Sequence, residues 1–356
     1  MNAPFAPMRI TAREAVRAVD VRQPDEAGRI EGFVADHGGS VFHRPAWLRA
    51  VETGTGQKAR GLLAERGGAI TGWLPLTEVH SPVFGRMLAS SGFAVEGGVL
   101  GEGTATAEML CAAACDYALR LSCPTVELRG GAAGAGWRVR TDSHCGFVQP
   151  LAGDDKAQLT AIPRKQRAEV RRSLTFDLDV TVGRDAADRA AHYSVYAESV
   201  RNLGTPVFPR SLFDAVLDSL DADILTVRHQ GVPVASVLSF YHAGAVMPYW
   251  GGGTAAARPL RANDRMYYEL MLHARRRGCD RFDFGRSKTG SGAWSFKKNW
   301  GFEPQPLSYA SWTAPGHEAR DADPTSEKHQ ARIALWKRLP LPVANRLGPI
   351  IARGLG

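Results

Sequence analysis

Five basic residues, Arg164, Lys165, Arg167, Arg171 and Arg172, crowd into the stretch Ile162–Ser173, IPRKQRAEVRRS, against one acidic residue, Glu169. The local excess of four is half of the formal charge of +8 carried by the whole chain. In a helix from Pro163 onward, Arg164, Arg167 and Arg171 fall at i, i+3 and i+7 on one face, with Lys165 and Arg172 beside it. Such a face is either a solvated helix surface or a phosphate-contact surface for a nucleotide-linked or tRNA substrate. A second candidate is Asp283, in the short apolar strand Arg281–Gly285. A carboxylate at a sheet rim could orient or deprotonate an amine, or it could pair with Arg281 or Arg286. Tyr249 and Trp250 precede the triple glycine 251–253 and either line a pocket or belong to the core. Arg201 precedes the Asn202–Phe208 loop, NLGTPVF, and Thr205 lies in it; both are candidate substrate contacts.

Several familiar chemistries are absent. Asp283–Phe284–Gly285 spells D-F-G, but neither an H-R-D loop nor a V-A-I-K strand accompanies it, which excludes a protein kinase. Gly285–Gly290 followed by Ser291 lacks the G-K-[ST] ending of a phosphate-binding loop, and no H-E-x-x-H or G-x-S-x-G occurs. The cysteines number five, with no C-x-x-C. Neither a disulfide framework nor a structural zinc site is expected from that. Cys111 and Cys115, four apart on an expected helix, read as buried small residues. No metal is expected.

These residues need a scaffold, and 356 residues suffice for two domains of ordinary size. The hydrophobic fraction of 44% and charged fraction of 22% are those of a globular protein. No apolar run reaches eighteen residues, and the N-terminal stretch lacks the apolar segment of a signal peptide, so a cytoplasmic location is expected. The pI near 9.4 favours an anionic donor or acceptor as partner. In the first half, Phe42–Val51 and Thr104–Leu121 read as helices. Ala59–Glu65, Ala69–Val79 and Thr125–Arg129 read as strands, the first two joined by a Gly-containing turn. In the second, Phe176–Val182, Ile224–Arg228, Val232–Tyr241 and Ala245–Trp250 read as strands, and Ala186–Arg201 and Arg210–Leu220 as helices. Met266, Tyr267, Leu270, Met271 and Ala274 then recur at helical spacing, with Asn263 or Asp264 as cap and Gly278 as stop. The expected division is 1–152, 153–315, and 316–356. The last comprises a polar, mobile linker, Gly316–Gln330, and a basic amphipathic tail. The tail could dock on the protein's own surface or lie on an anionic membrane face.

The sequence of elements from Asn263 to Tyr309 (helix, strand, Gly/Ser loop, then FKKNWGF) resembles the end of a GNAT-type acyltransferase domain, most closely the FemAB-like branch. The likeness is sharpest over Ile162–Arg172, Asn202–Pro209 and Arg265–Tyr309. Within that branch, GTPVFP, FDFGRSK, FKKNWGFEP and LPLPVANRLGP resemble the subgroup associated with exosortase/PEP-CTERM exopolysaccharide systems. The resemblance implies an α/β fold of two tandem GNAT-like domains, each a mixed, partly antiparallel twisted sheet flanked by helices. It also implies transfer of an acyl or aminoacyl group to an amine. Lys297 sits where FemAB-like enzymes carry a lysine in a similar F-K motif, which makes it the cation expected to face the developing oxyanion. Asp283 is then the second catalytic candidate, with Arg286 and Lys298 as substrate contacts beside the basic helix.

GNAT acetyltransferases hold the pyrophosphate of acyl-CoA on a Q/R-x-x-G-x-G/A turn at a helix N-terminus, and no strict instance occurs here. FemAB-like proteins lack that turn too. The donor is therefore left open among aminoacyl-tRNA, acyl-CoA and acyl-carrier protein, with no bound cofactor expected. The acceptor expected from the resemblance is an amine of an exopolysaccharide or peptidoglycan precursor. The enzyme would be cytoplasmic or peripheral at the inner membrane face. The competing reading is a non-catalytic GNAT-fold module that binds a nucleotide-linked or nucleic-acid ligand.

Overall fold

The computed structural model describes residues 13–82, 84–318 and 327–356. The first half runs β1 (Ala15–Ala18), α1 (Pro24–Asp36), α2 (Pro45–Thr55), β2 (Lys58–Arg66), β3 (Ala69–Ser81), β4 (Gly85–Ser90), β5 (Leu100–Gly101), α3 (Thr104–Arg120) and β6 (Thr125–Arg129). Three short strands follow: β7 (Arg138–Arg140), β8 (His144–Gly146) and β9 (Val148–Pro150). The second half runs α4 (Asp155–Ala161), α5 (Arg164–Ser173), β10 (Asp179–Gly183), α6 (Ala186–Leu203), α7 (Arg210–Ser219), β11 (Ala222–His229), β12 (Val232–His242), β13 (Ala245–Gly253), α8 (Ala262–Arg276) and β14 (Arg281–Asp283). It closes with β15 (Ser287–Lys288), α9 (Gly292–Asn299), β16 (Gln305–Pro306), β17 (Tyr309–Thr313), α10 (Glu327–Arg338) and α11 (Leu341–Ala352).

Local chemistry accounts for most boundaries. Pro45 opens α2 at a position with no intrahelical N–H bond to lose, and Gly56 ends it in the left-handed region at φ 76°. Asp185 caps α6 by accepting from the Ala187 and Asp188 amides, and Gly204 stops that helix at φ 85°. The hairpins β2–β3, β11–β12 and β12–β13 each turn over two residues of positive φ: Gly67–Gly68, Gln230–Gly231 and Ala243–Gly244. That is the turn whose twist suits a tight hairpin. α8 differs from the expected start. Its cap position is Arg261, at φ 53°, and Asn263 and Asp264 lie inside the first turn. In the tail, Pro340 sits at the cap position of α11, Pro342 in its first turn and Pro349 within it, so the chain breaks only between α10 and α11. Of the expected mobile linker, residues 319–326 lie outside the described residues, and Glu327–Gln330 instead open α10.

Two sheets repeat one plan. The first has the order β1-β2-β3-β4-β6-β17-β7, with β5 also on β3. The second has the order β10-β11-β12-β13-β14-β9. In each, antiparallel strands lead to one parallel pair, β4 with β6 and β13 with β14, reached through the crossover helices α3 and α8. The outer neighbour of each crossover strand comes from the other half of the chain. β17 pairs with β6 at Tyr309–Arg129 through Thr313–Thr125, and β9 pairs with β14. The expected border at residues 152 and 153 therefore does not separate the sheets. The physical reason is that β6 and β14 would otherwise be unpaired edges, and each is covered by the strand lying nearest in space. A small third sheet, β15-β8-β16, bridges the same region.

One core crosses the seam. Phe42, Trp47, Val51 and Phe93 of the first half pack with Tyr196, Leu212, Phe213, Phe240 and Trp250 of the second. Trp47 stacks on Trp250 at 6.3 Å and meets Phe240 edge-on at 5.6 Å. Helices α2 and α7 pack at Gly54, where any Cβ would strike the Leu212 backbone, and Ser211 Oγ donates to the Gly54 carbonyl at 2.6 Å. Because sheet and core are shared, the two halves should unfold together. Ala310, 6% exposed on β17 among Val126 and Leu128, offers a test. Ala310→Glu should destabilise the whole protein by several kcal/mol through an unpaired buried charge. Urea unfolding followed separately at tryptophan and by far-UV dichroism should remain a single coincident transition.

Candidate active site

The parallel pair β13–β14 is joined only at Ala245–Arg281 and Val246–Phe282. Beyond Val246 the strands part. β13 then bulges: Ser239 faces Pro248 and Leu238 faces Trp250, so Tyr249 is the extra residue. Bulges re-aim side chains at sheet edges. Here the Tyr249 hydroxyl reaches across the seam to donate to the Phe93 carbonyl at 2.6 Å. Tyr309, at the head of β17, donates to the Val95 carbonyl at 2.8 Å. Two tyrosines thus pin the loop after β4, in which Ser91 and Phe93 hold positive φ of 46° and 62°. His43, buried, bonds Ser40 through Nδ1 and the Gly98 carbonyl through Nε2, so the far end of the loop is fixed as well.

That loop carries Glu96 into the seam, where its side chain meets the Ser40 hydroxyl. Burial holds its carboxyl above the usual range, and the nearby Asp283 charge raises it further. Asp283, the last residue of β14, is also raised by burial. The Gly285 amide, donating to Oδ1 at 2.8 Å, and the charges of Lys297 and Arg281 only partly offset this. Lys297 reaches the same place from α9. The residue is 8% exposed, and its ammonium donates to the Gly285 and Arg286 carbonyls at 3.2 and 3.0 Å. It lies 5.3 Å from the Phe147 ring and 5.5 Å from that of Phe284. Burial lowers it to about 8, against the pull of Asp283. An ammonium has three donors, so two are engaged and one remains. Lys297 is therefore a buried helix residue whose ammonium is held against the backbone between β14 and β15.

Arg286 completes the cluster by donating to the Tyr309 hydroxyl at 2.9 Å. His144, 5.4 Å from the Tyr309 ring, is held down to about 4 by burial and by Arg286 and Lys288. The remaining expected residues lie elsewhere. Trp250, 4% exposed, is core between Trp47 and Phe213. Lys298 is exposed and lies over the Trp294 ring at 4.6 Å. Arg201 donates to the Lys337 carbonyl at 3.2 Å and so clamps the tail. Thr205 is exposed in the following loop. Arg164, Lys165 and Arg171 project from α5 into solvent and Arg167 is half-buried. None of these four makes an ion pair among the described residues, whereas Glu169 pairs with Arg261 and Gln166 with Asp264.

Glu96, Tyr309 and His144 escape a reading of the sequence. Glu96 is one carboxylate in a Gly-punctuated loop, and only the exchanged strands bring Tyr309 to it. Two other groupings are structural. A small hollow beneath β14, lined by Gln149, Gln158, Met271, Phe282 and Trp300, contains no ionisable group. Glu78, His80 and Cys123 bring ligand-type atoms within 4.8 Å of one another. Arg60 at 2.7 Å from Glu78 and Arg86 at 3.0 Å from His80 make that cluster an ion-pair network unsuited to a cation.

The two raised carboxyls have a measurable consequence. A group whose folded-state pKa lies above its unfolded value binds more protons when folded, so its contribution falls as pH rises through that interval. Glu96→Gln should raise stability at neutral pH by about 1 kcal/mol, the order of one close coupling. It should also flatten the loss of stability on raising the pH above the ordinary glutamate range. Denaturant midpoints taken across that range check both.

Residues 163–298 match the family model described as an acetyltransferase (GNAT) domain. No curated protein matches the chain. Among solved structures, FemX aligns over 91% of this chain and 100% of its own, with a TM-score of 0.62 and 14% identity. A tandem GNAT protein from the clavulanic acid biosynthesis pathway aligns over 86% and 100%, at 0.58 and 10%. L-PGS from Bacillus licheniformis aligns over 89% and 96%, at 0.53 and 15%. The seam described above thus lies in a two-domain fold of the GNAT type, and the match to the acetyltransferase (GNAT) domain model falls in its second half.

Proposed function

We propose that the protein is an N-acyltransferase or aminoacyltransferase that works at the seam, moving an acyl group onto an amine of a cell-envelope precursor. The observation that carries this reading is the convergence of Glu96, Asp283 and Lys297 where β13 and β14 part. Acyl transfer to an amine needs a base for the attacking nitrogen, a donor for the tetrahedral oxyanion, and two substrates held in place. A carboxyl raised by burial is closer in basicity to an amine nucleophile under attack than an exposed one. Glu96 and Asp283 supply that from opposite sides of the seam. The free N–H of Lys297 is the donor available to the oxyanion. Its two carbonyl bonds hold the ammonium still, so little reorganisation accompanies the reaction. The envelope acceptor rests on the FemAB-like motifs.

The donor reading rests on charge. Glu198 accepts from the Ala255 amide at 2.9 Å, and Asp264 occupies the first turn of α8. Glu198 thus occupies an amide of the β13–α8 connection, where a GNAT enzyme would place the CoA pyrophosphate, and of the two arginines there, Arg258 and Arg261, the second is already paired with Glu169. The unpaired cations of α5, which packs on α8, offer an anion a better surface. This favours aminoacyl-tRNA or an acyl-carrier protein over acyl-CoA.

Titration with acyl-CoA, acyl-carrier protein and aminoacyl-tRNA, followed by single-turnover transfer to a soluble amine, tests the proposal. Saturable binding with no transfer from any donor would favour the non-catalytic module instead. Lys297→Ala should leave donor binding intact and lower turnover by about 10²–10³-fold, the loss of one oxyanion donor. The pH–rate profile should rise as the carboxyls ionise and fall above about 8 as Lys297 deprotonates. The alkaline fall should be missing from the residual activity of Lys297→Ala. Reversing Arg167 and Arg171 to Glu should weaken donor binding and flatten its dependence on salt.

A further inference from the structure

Helix α11 presents its faces in the reverse of the usual sense. A helix that packs only on its own protein buries its large apolar side chains. α11 instead buries the small residues Ala344, Gly348 and Ala352. Gly348 lies against Val207 so closely that a Cβ would come to 3.0 Å from that residue. Val343, Leu347 and Ile350, four and seven apart and hence on one face, point outward at 42%, 43% and 59% exposure. Leu335 of α10 is 66% exposed, and Leu203 at the end of α6, beside α10, is 68% exposed. The face is firmly held. Gln57 Nε2 donates to the Arg353 carbonyl at 2.8 Å, and Arg129 donates to the Gly356 carbonyl at 2.9 Å. Arg201 fixes α10 through the Lys337 carbonyl.

The rim of this face has one sign. Lys337, Arg338, Arg346 and Arg353 are exposed and make no ion pair among the described residues, and Ile333–Gly356 contains no Asp or Glu. Aliphatic side chains bordered only by cations match the chemistry of an anionic bilayer surface, apolar beneath and negative at the headgroups. The helix has 12 residues, a length of roughly 18 Å, too short to cross. No described helix is long and apolar enough to span a membrane. We propose that the outward face of α11, with Leu335, docks the protein onto an anionic phospholipid surface. Val343, Leu347 and Ile350 enter the interface, and the four cations lie on the headgroup phosphates. The inference stands independently of the reading of the seam.

Co-sedimentation of the full chain with phosphatidylcholine vesicles, with and without phosphatidylglycerol, tests it. The wild type should partition to the anionic vesicles and be released by high salt. Leu347→Glu with Ile350→Glu should weaken partitioning by about tenfold or more at an unchanged melting temperature, because both side chains are already exposed. Arg346→Ser with Arg353→Ser should remove the preference for phosphatidylglycerol. Equal partitioning of wild type and the glutamate variant would overturn the proposal, as would a wild type that ignores anionic vesicles. A dimer in light scattering that the glutamate variant abolishes would assign the face to a second copy and overturn it too. Transfer to a soluble amine should persist in the glutamate variant, so lost vesicle binding with full turnover separates this surface from the seam.

Discussion

The pairing of β17 between β6 and β7 is the constraint on which the rest depends. It brings residues 309–313 into a sheet otherwise built from residues 15–140, while β9 performs the reciprocal service for β14. With both crossover strands covered by the opposite half, neither sheet can shift without breaking a ladder in the other. The Trp47–Trp250–Phe240 aromatic cluster fills the space between, each such contact adding about 0.5–1.5 kcal/mol beyond area burial. The seam is therefore a fixed surface.

This rigidity is what lets the seam hold ionisable groups away from water. Glu96 and Asp283 are both pushed towards their neutral forms, and so is Lys297, by the same loss of hydration. Such a cluster is costly unless the surrounding backbone compensates. Here the Gly285 amide serves Asp283, two carbonyls serve Lys297, and the Ser40 hydroxyl serves Glu96. The tyrosines that pin residues 93–96 are part of the same arrangement, because a mobile loop would let Glu96 turn to solvent. Arg129 links the region to the tail: it donates to the Ala94 carbonyl through Nη1 and to the Gly356 carbonyl through Nη2.

The basic helix and the tail have the opposite character. Their cations are exposed, apart from the half-buried Arg167, and unpaired among the described residues, and their energetics are screened by salt. In the seam, burial shifts protonation; on α5 and α11, an unbalanced field outside the protein is free to act on a partner. The glycines of the second sheet serve the closed part. Gly252 lies under Ser199 of α6 with no room for a Cβ, and Gly253 under Asn263 of α8, so both helices can approach the strand that bulges at Tyr249.

Local patterning was enough to determine much of this protein. The period-2 and 3.6-residue spacings, the Gly-Gly and Gln-Gly turns and the Asp185 cap specify elements from contacts a few residues long. The F-K motif singled out Lys297, and the density of Arg and Lys singled out α5. What needed the tertiary structure is whatever depends on distant residues meeting. Asp283 is legible as the end of a strand, but its partner Glu96 lies 187 positions earlier in a loop with no periodicity. Trp250 reads as core or as pocket lining until Trp47 stacks on it and leaves only the core. Arg201 reads as a substrate contact until the tail returns to claim it. The tail itself shows amphipathic composition in sequence, yet only its packed position reveals that the small residues face in and the large ones out. Hydrophobic spacing marks which residues share a face; which face is covered is decided by the rest of the fold.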